Sequence, residues 1–254
     1  MLRKGDLTQG GITGTLLHFT LPMLVGSFLQ QCYNIADTLI VGQCIGAGAL
    51  AAVGSAYTLM VFLISVLLGL AMGSGTVFSL HYGAGNHVAL RRSIFSSFAL
   101  IGIVTLILNV VVFIWLDPIL RLLQVPQDIY GMMRSYLWII FCGIVFTFIY
   151  NFYASLLRAV GDSVTPLWFL AVSVVLNIAL DLFFILQLDW GIQGAAAATV
   201  LAQGVAALGI IIYTYRRRPE LRWHHEDMCF DRTCLKEIAS FSTLTCVQQS
   251  VMNL

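Results

Sequence analysis

Charge is scarce in this chain. Of its 254 residues, 10% are Asp, Glu, Lys or Arg, where water-soluble domains carry about 25%. Hydrophobic residues make up 59% and the mean hydropathy is +0.90. One water-soluble core cannot hide that much apolar surface, so the composition implies a polytopic membrane protein. The net charge of +1 offers no basic footprint for nucleic acid. The 6 cysteines include no CxxC pair. Cys32, Cys142 and Cys246 fall in apolar stretches, where a thiol behaves as a small apolar group, so a disulfide framework is not expected. A cleavable signal peptide is missing too. Met1 to Thr15 is polar and carries Arg3 and Lys4, and the first apolar stretch is too long and lacks a small-residue cleavage site. His18 sits at the cytoplasmic start of the first apolar run, and no histidine lies deeper in any span. Gly73-Ser74-Gly75 therefore has no base beside it, and an enzyme reading lacks a nucleophile–base pair. His224, His225, Cys229 and Cys234 match no usual zinc spacing and read as part of a solvated loop. No metal site is expected.

What is present is a series of apolar runs of about 20 residues or somewhat longer. They lie near Leu16–Val41, Leu50–Leu80, Ser93–Trp115, Ser135–Leu157, Thr165–Leu188 and Gly191–Tyr215. The expected division is a cytoplasmic N-terminus (1–15), a six-helix transmembrane unit (16–215), a basic cytoplasmic loop (216–237) and the start of a truncated seventh helix (238–254). One set of loops holds all but Arg121 and Arg134 of the 13 Lys and Arg residues. By the positive-inside rule, that set and the N-terminus are cytoplasmic. Glycine and other small residues crowd the second run (Gly69, Gly73, Gly75) and the sixth (Gly194 to Ala198), as expected where transmembrane helices pack closely. Pro22 lies inside the first run and removes a backbone hydrogen bond there, which makes it a candidate hinge.

The polar residues within the runs fall into stripes. Gln30, Tyr33, Asn34 and Asp37 recur at i, i+3, i+4 and i+7, on one helical face. Ser173, Asn177 and Asp181 recur at i, i+4 and i+8. Such stripes must face the bundle interior or a water-filled cavity. Asp37 and Asp181 are the two acidic residues at membrane depth, each expected to cost about 2.5–3.5 kcal/mol there. No Lys or Arg sits at that depth to neutralise them, so a proton, a small alkali cation or a cationic ligand is expected. The sixth run adds Thr199 and Gln203, and the fourth adds Thr147, Tyr150 and Asn151. Inter-helix hydrogen bonding suffices for each of these taken singly.

In order along the chain, these stretches resemble one family. Pro22…Tyr33-Asn34-Ile35-Ala36-Asp37-Thr38-Leu39-Ile40-Val41-Gly42 is similar to the first helix of multidrug and toxic compound extrusion (MATE) transporters. Ala49-Leu50-Ala51-Ala52-Val53-Gly54 resembles the start of the second, and Tyr82-Gly83-Ala84-Gly85 the loop after it. Leu157-Arg158-Ala159-Val160-Gly161-Asp162-Ser163-Val164-Thr165-Pro166 resembles the signature between helices four and five. Asn177-Ile178-Ala179-Leu180-Asp181 and Gly194-Ala195-Ala196-Ala197-Ala198-Thr199 resemble helices five and six.

The resemblance implies an all-α membrane protein: six transmembrane helices forming one lobe of a twelve-helix transporter, plus the start of a seventh helix. It implies an antiporter in the plasma (inner) membrane that exchanges H⁺ or Na⁺ for small-molecule drugs or organic cations, with no cofactor besides the coupling ion. The implied cation site is Asp37, Asn177, Asp181 and Thr199. Gln30, Tyr33, Asn34, Tyr150, Asn151 and Gln203 are supporting or cavity residues, and Pro22 is the hinge. Carrying both Asp37 and the Asn177/Asp181 pair resembles the DinF-like prokaryotic branch. The departure is length: a transporter of this kind needs both lobes. The expected partners are membrane lipids and the missing C-terminal lobe or a second copy. Two rival readings are a lipid-linked oligosaccharide flippase of the same superfamily and an inactive membrane fragment or scaffold.

Overall fold

The computed structural model describes residues 12–222 and 232–252. Arg3, Lys4, His224, His225 and Cys229 lie outside the described residues, as do the side chains of His18 and Cys234. Among the described residues there are eight α-helices and no strand. They are α1 (Ile12–Cys44), α2 (Ala47–Gly83), α3 (His87–Leu122), α4 (Gln127–Cys142), α5 (Ile144–Ala159), α6 (Val164–Leu182), α7 (Gly191–Arg217) and α8 (Arg232–Met252). Hydrocarbon offers backbone groups no partner, and a helix satisfies them within itself. Four helices are each long and apolar enough to cross a membrane: α2, α3, α6 with the turn that extends it to Gln187, and α7. The α4–α5 pair, taken together across its bend, is long and apolar enough to be a fifth. α1, at 33 residues, has the length and carries Gln30, Gln31, Asn34 and Asp37 in its second half.

The fourth apolar run is not one helix. α4 and α5 meet at a 47° bend centred on Gly143. A Cβ there would come within 2.7 Å of Val200 Cγ1 on α7, so only glycine admits this approach. At the break, the Phe141 carbonyl accepts a hydrogen bond from Asn109 Nδ2 of α3 at 2.6 Å. The fifth run also departs from a uniform helix. α6 widens into a π-helical turn over Phe183–Gln187, two residues past Asp181.

Two connections explain motifs seen in the sequence. After α2, Gly85 takes φ 69, a left-handed value that glycine adopts without a Cβ penalty. Asn86 then caps α3 by accepting from the Ala89 N–H at 3.0 Å. Between α5 and α6, Gly161 takes φ 86. Asp162 accepts from the Thr165 N–H (3.0 Å) and hydroxyl (2.9 Å) at the head of α6. Arg218, from the far end of α7, reaches the same carboxylate at 3.4 Å.

α2 is the centre of the bundle and touches α1, α3, α4, α5 and α8. α1 lies against α6, α6 pairs with α7, and α5 and α4 bridge α2 to α7. The core is aromatic where α2, α3 and α5 meet: Phe98 lies 5.2 Å from both Phe148 and Phe152, and Phe78 lies 5.9 Å from Phe152. Glycines of α7 receive rings from neighbouring helices. Gly204 faces Phe146, and Gly209 faces the Phe169 ring at 2.6 Å from where a Cβ would stand. The outer face of α3, with Ile103, Leu106, Ile107, Val110 and Ile114 exposed, suits lipid. Gly143→Leu is expected to force α4–α5 away from α7 and to lower stability by about 1–3 kcal/mol. Thermal unfolding in detergent checks this, and an unchanged midpoint would contradict the steric account.

Candidate functional site

Asp37 sits in the last third of α1, on the face that meets α6. Exposure falls along its stripe: Gln30 is exposed, Tyr33 and Asn34 are half-buried, and Asp37 is buried. Helical spacing on α6 turns Asn177 and Asp181 toward the same place, at 1% and 0% exposure. α7 brings Thr199, also buried, from the other side.

These side chains form a continuous chain of contacts across three helices. The Tyr33 hydroxyl and Thr199 Oγ1 are 3.2 Å apart. Thr199 Oγ1 is 3.3 Å from the Asn177 amide. With that amide turned to suit both neighbours, its oxygen accepts from Thr199 and its Nδ2 donates to Asp181 Oδ2 at 3.0 Å. The Asp181 carboxyl in turn lies within hydrogen-bonding reach of the Asp37 carboxyl. One oxygen on each, Asp37 Oδ1 and Asp181 Oδ1, is buried with no hydrogen-bond partner. Two carboxylates cannot donate to one another, so they hold together only with a proton or a cation between them. Among the described residues no cationic side chain acts on either one.

The structure therefore brings together Tyr33, Asp37, Asn177, Asp181 and Thr199. It does not join the remaining supporting candidates to them. Thr147 of α5 donates to Gln203 Oε1 of α7. Asn151 donates to the Thr147 carbonyl at 2.8 Å, and Tyr150 donates to the Pro166 carbonyl at 3.0 Å. The Thr147 and Tyr150 bonds stitch α5 to α7 and α6, the inter-helix bonding the sequence allowed for, while the Asn151 bond stays within α5. Asn34 bonds to Gln31 at 3.5 Å on its own helix. Pro22 is half-buried inside an uninterrupted α1. Ser74 lies within α2, fully buried, and not on an exposed turn.

One residue near the site was not picked out from sequence. Tyr136 of α4 is buried at 4% exposure and lies within electrostatic reach of Asp37, Tyr33 and Asp181. A single tyrosine in an aromatic-rich run carries no periodic signal. The π-helical turn after Asp181 is the second such feature. Wide turns of this kind recur at functional sites in helices.

A family model described as MatE matches residues 22–183. The "Probable multidrug resistance protein YpnP" of Bacillus subtilis (strain 168) is 35% identical over 217 residues, which are 85% of this chain and 49% of that protein. A solved outward-facing conformation of a multidrug resistance MATE family transporter of the MOP superfamily superposes with a TM-score of 0.91. It is 25% identical and covers 98% of this chain and 55% of its own. An inward-facing conformation of such a transporter gives 0.83 at 24% identity, covering 94% of this chain and 54% of its own. The chain spans about half the length of the curated relatives it matches.

The Thr199 hydroxyl links Tyr33 to Asn177. Thr199→Val is expected to strand both and to cost about 1–3 kcal/mol, while Thr199→Ser keeps the link. Thermal unfolding of the two variants checks this, and equal loss in both would rule out the hydroxyl as the cause.

Proposed function

Since the chain belongs to the MatE family, we propose that it works as the N-terminal lobe of a cation-coupled antiporter that exports organic, often cationic compounds across the plasma membrane. The observation that carries this reading is the pair of buried carboxylates, Asp37 and Asp181, in contact with each other and without a resident counter-charge. A site of that kind is poised to take up and release a proton or Na⁺. Asn177, Thr199 and Tyr33 hold the pair in register. The charge bias of the loops supports a cytoplasmic N-terminus, and the exposed apolar helix faces support a multi-pass placement.

In the cycle we propose, the cation enters from outside and binds at Asp37 and Asp181. Neutralising them relieves their mutual repulsion and draws α1 toward α6, and α1 bends near Pro22. Substrate leaves, the lobes rock, and the cation is released inside. The membrane potential alone supplies about 2.3 kcal/mol per charge per 100 mV. The partner lobe is a C-terminal half or a second copy, and no cofactor is required besides the coupling ion. A lipid-linked oligosaccharide flippase would need cationic side chains at depth to meet a pyrophosphate. Among the described residues none acts on this site, so that reading is not favoured.

The test is Asp37→Asn and Asp181→Asn in the intact transporter, with ethidium efflux from energised cells as readout. Each substitution is expected to abolish efflux while membrane insertion stays normal. Wild-type efflux by Asp37→Asn would sink the proposal.

A further inference from the structure

α2 carries a charged contact that the cation site does not use, at the end that the charge bias assigns to the cytoplasm. His81 Nε2 lies 3.6 Å from Glu237 Oε2 of α8, and the two side chains are 23% and 46% exposed. An imidazole and a carboxylate form an ion pair only while the imidazole is protonated. The helices packed against this half of α2 are α3, α5 and α8. Their other charged groups at this end, among the described side chains, are basic: Arg91 and Arg92 on α3, Arg158 on α5 and Lys236 beside Glu237. The His87 ring of α3 lies 6.3 Å from Tyr82. Asp162 and Glu220, at the ends of α5 and α7, are held by Arg218. Glu237 is therefore the carboxylate that meets His81.

Deeper in the bundle the same two helices touch closely. A Cβ at Gly73 would lie 2.6 Å from the backbone nitrogen of Ser242, and one at Gly69 would lie 2.7 Å from that of Cys246. Cys246 Sγ donates to the Val66 carbonyl inside this contact, at 3.4 Å. α8 is the first helix past the six-helix unit. On the antiporter reading, with a second lobe that begins at α8, the contact lies between the halves and is shut here. Opening toward the cytoplasm must part it. The glycine contact is close packing, which carries no charge and no response to pH. The His81–Glu237 contact does respond. We propose that it is a proton-operated latch on the cytoplasmic side. In an acid cytoplasm His81 is charged, Glu237 holds it, and the transporter lingers shut on that side. As the cytoplasm turns alkaline the imidazole loses its proton, the attraction goes, and the halves part more readily. For a cycle driven by inward proton flow, the latch is a brake on acid loading.

The experiment uses the intact transporter in everted membrane vesicles, whose outer face is the cytoplasmic one, with the proton gradient collapsed by nigericin in equal potassium. The native Cys246 thiol reports parting of the contact, and its labelling by N-ethylmaleimide is followed by mass spectrometry. Each rate for the unmodified protein is divided by that of His81→Gln at the same pH. The ratio cancels the titration of the thiol and of the Asp37–Asp181 pair, which both proteins share. It is expected to be near one at about pH 8 and to fall about two- to fivefold at about pH 5.5, the range of a partly exposed ion pair. Glu237→Gln removes the other partner and is expected to give the same fall. It also stands in if His81→Gln inserts poorly. A ratio that stays flat with pH would overturn the latch. So would a fall seen with His81→Gln and not with Glu237→Gln, because Glu237 would then not be the partner. If the unmodified transporter exports no ethidium, the antiporter reading fails, and the labelling ratio still decides whether this pair fastens α8 to α2.

Discussion

A carboxylate in hydrocarbon must find a partner, and in this lobe Asp37 and Asp181 find each other. That contact sets which face α1 presents to α6. It also needs Asn177 to turn an amide toward Asp181 and Thr199 to anchor that amide from α7. Three helices are thereby held at one depth by side chains that lipid could not satisfy. Elsewhere the bundle packs with apolar and aromatic contacts that tolerate exchange of similar volumes. The aspartate cluster does not, because each member leaves another unpaired when it goes.

The scaffold around that cluster depends on size complementarity. Without a hydrophobic driving force between helices in lipid, close approach does the work. Gly143 lets α5 bend against Val200, glycines of α7 accept Phe146 and Phe169, and Gly69 and Gly73 admit the backbone of α8. The rings of Phe78, Phe98, Phe148 and Phe152 fill the space where α2, α3 and α5 spread apart. This gives a rigid block at the centre and a more exposed, more polar α1 at its side.

The second set of polar residues has a different character. Thr147, Tyr150, Asn151 and Gln203 satisfy one another and nearby backbone carbonyls. Asp37 and Asp181, by contrast, each leave one buried oxygen without a partner. The two sets of polar residues at membrane depth thus differ in that the aspartates keep a buried oxygen unpartnered.

The sequence by itself determined the helical, membrane-spanning class, the number of apolar runs and the residues of the aspartate cluster. These follow from local properties: run length against bilayer thickness, and spacings that put Asn177 and Asp181 on one face of a helix. The turns were legible for the same reason, since Gly85 and Asn86 carry their own conformational preferences. Tertiary structure alone decided the break at Gly143, which needs Val200 and Asn109 from distant parts of the chain. It decided the π-helical turn after Asp181, the approach of Tyr136 to the site and the seating of α8 on α2. In each case the deciding contact joins residues far apart in sequence, and no periodicity within one helix records which neighbour will fill the space beside it.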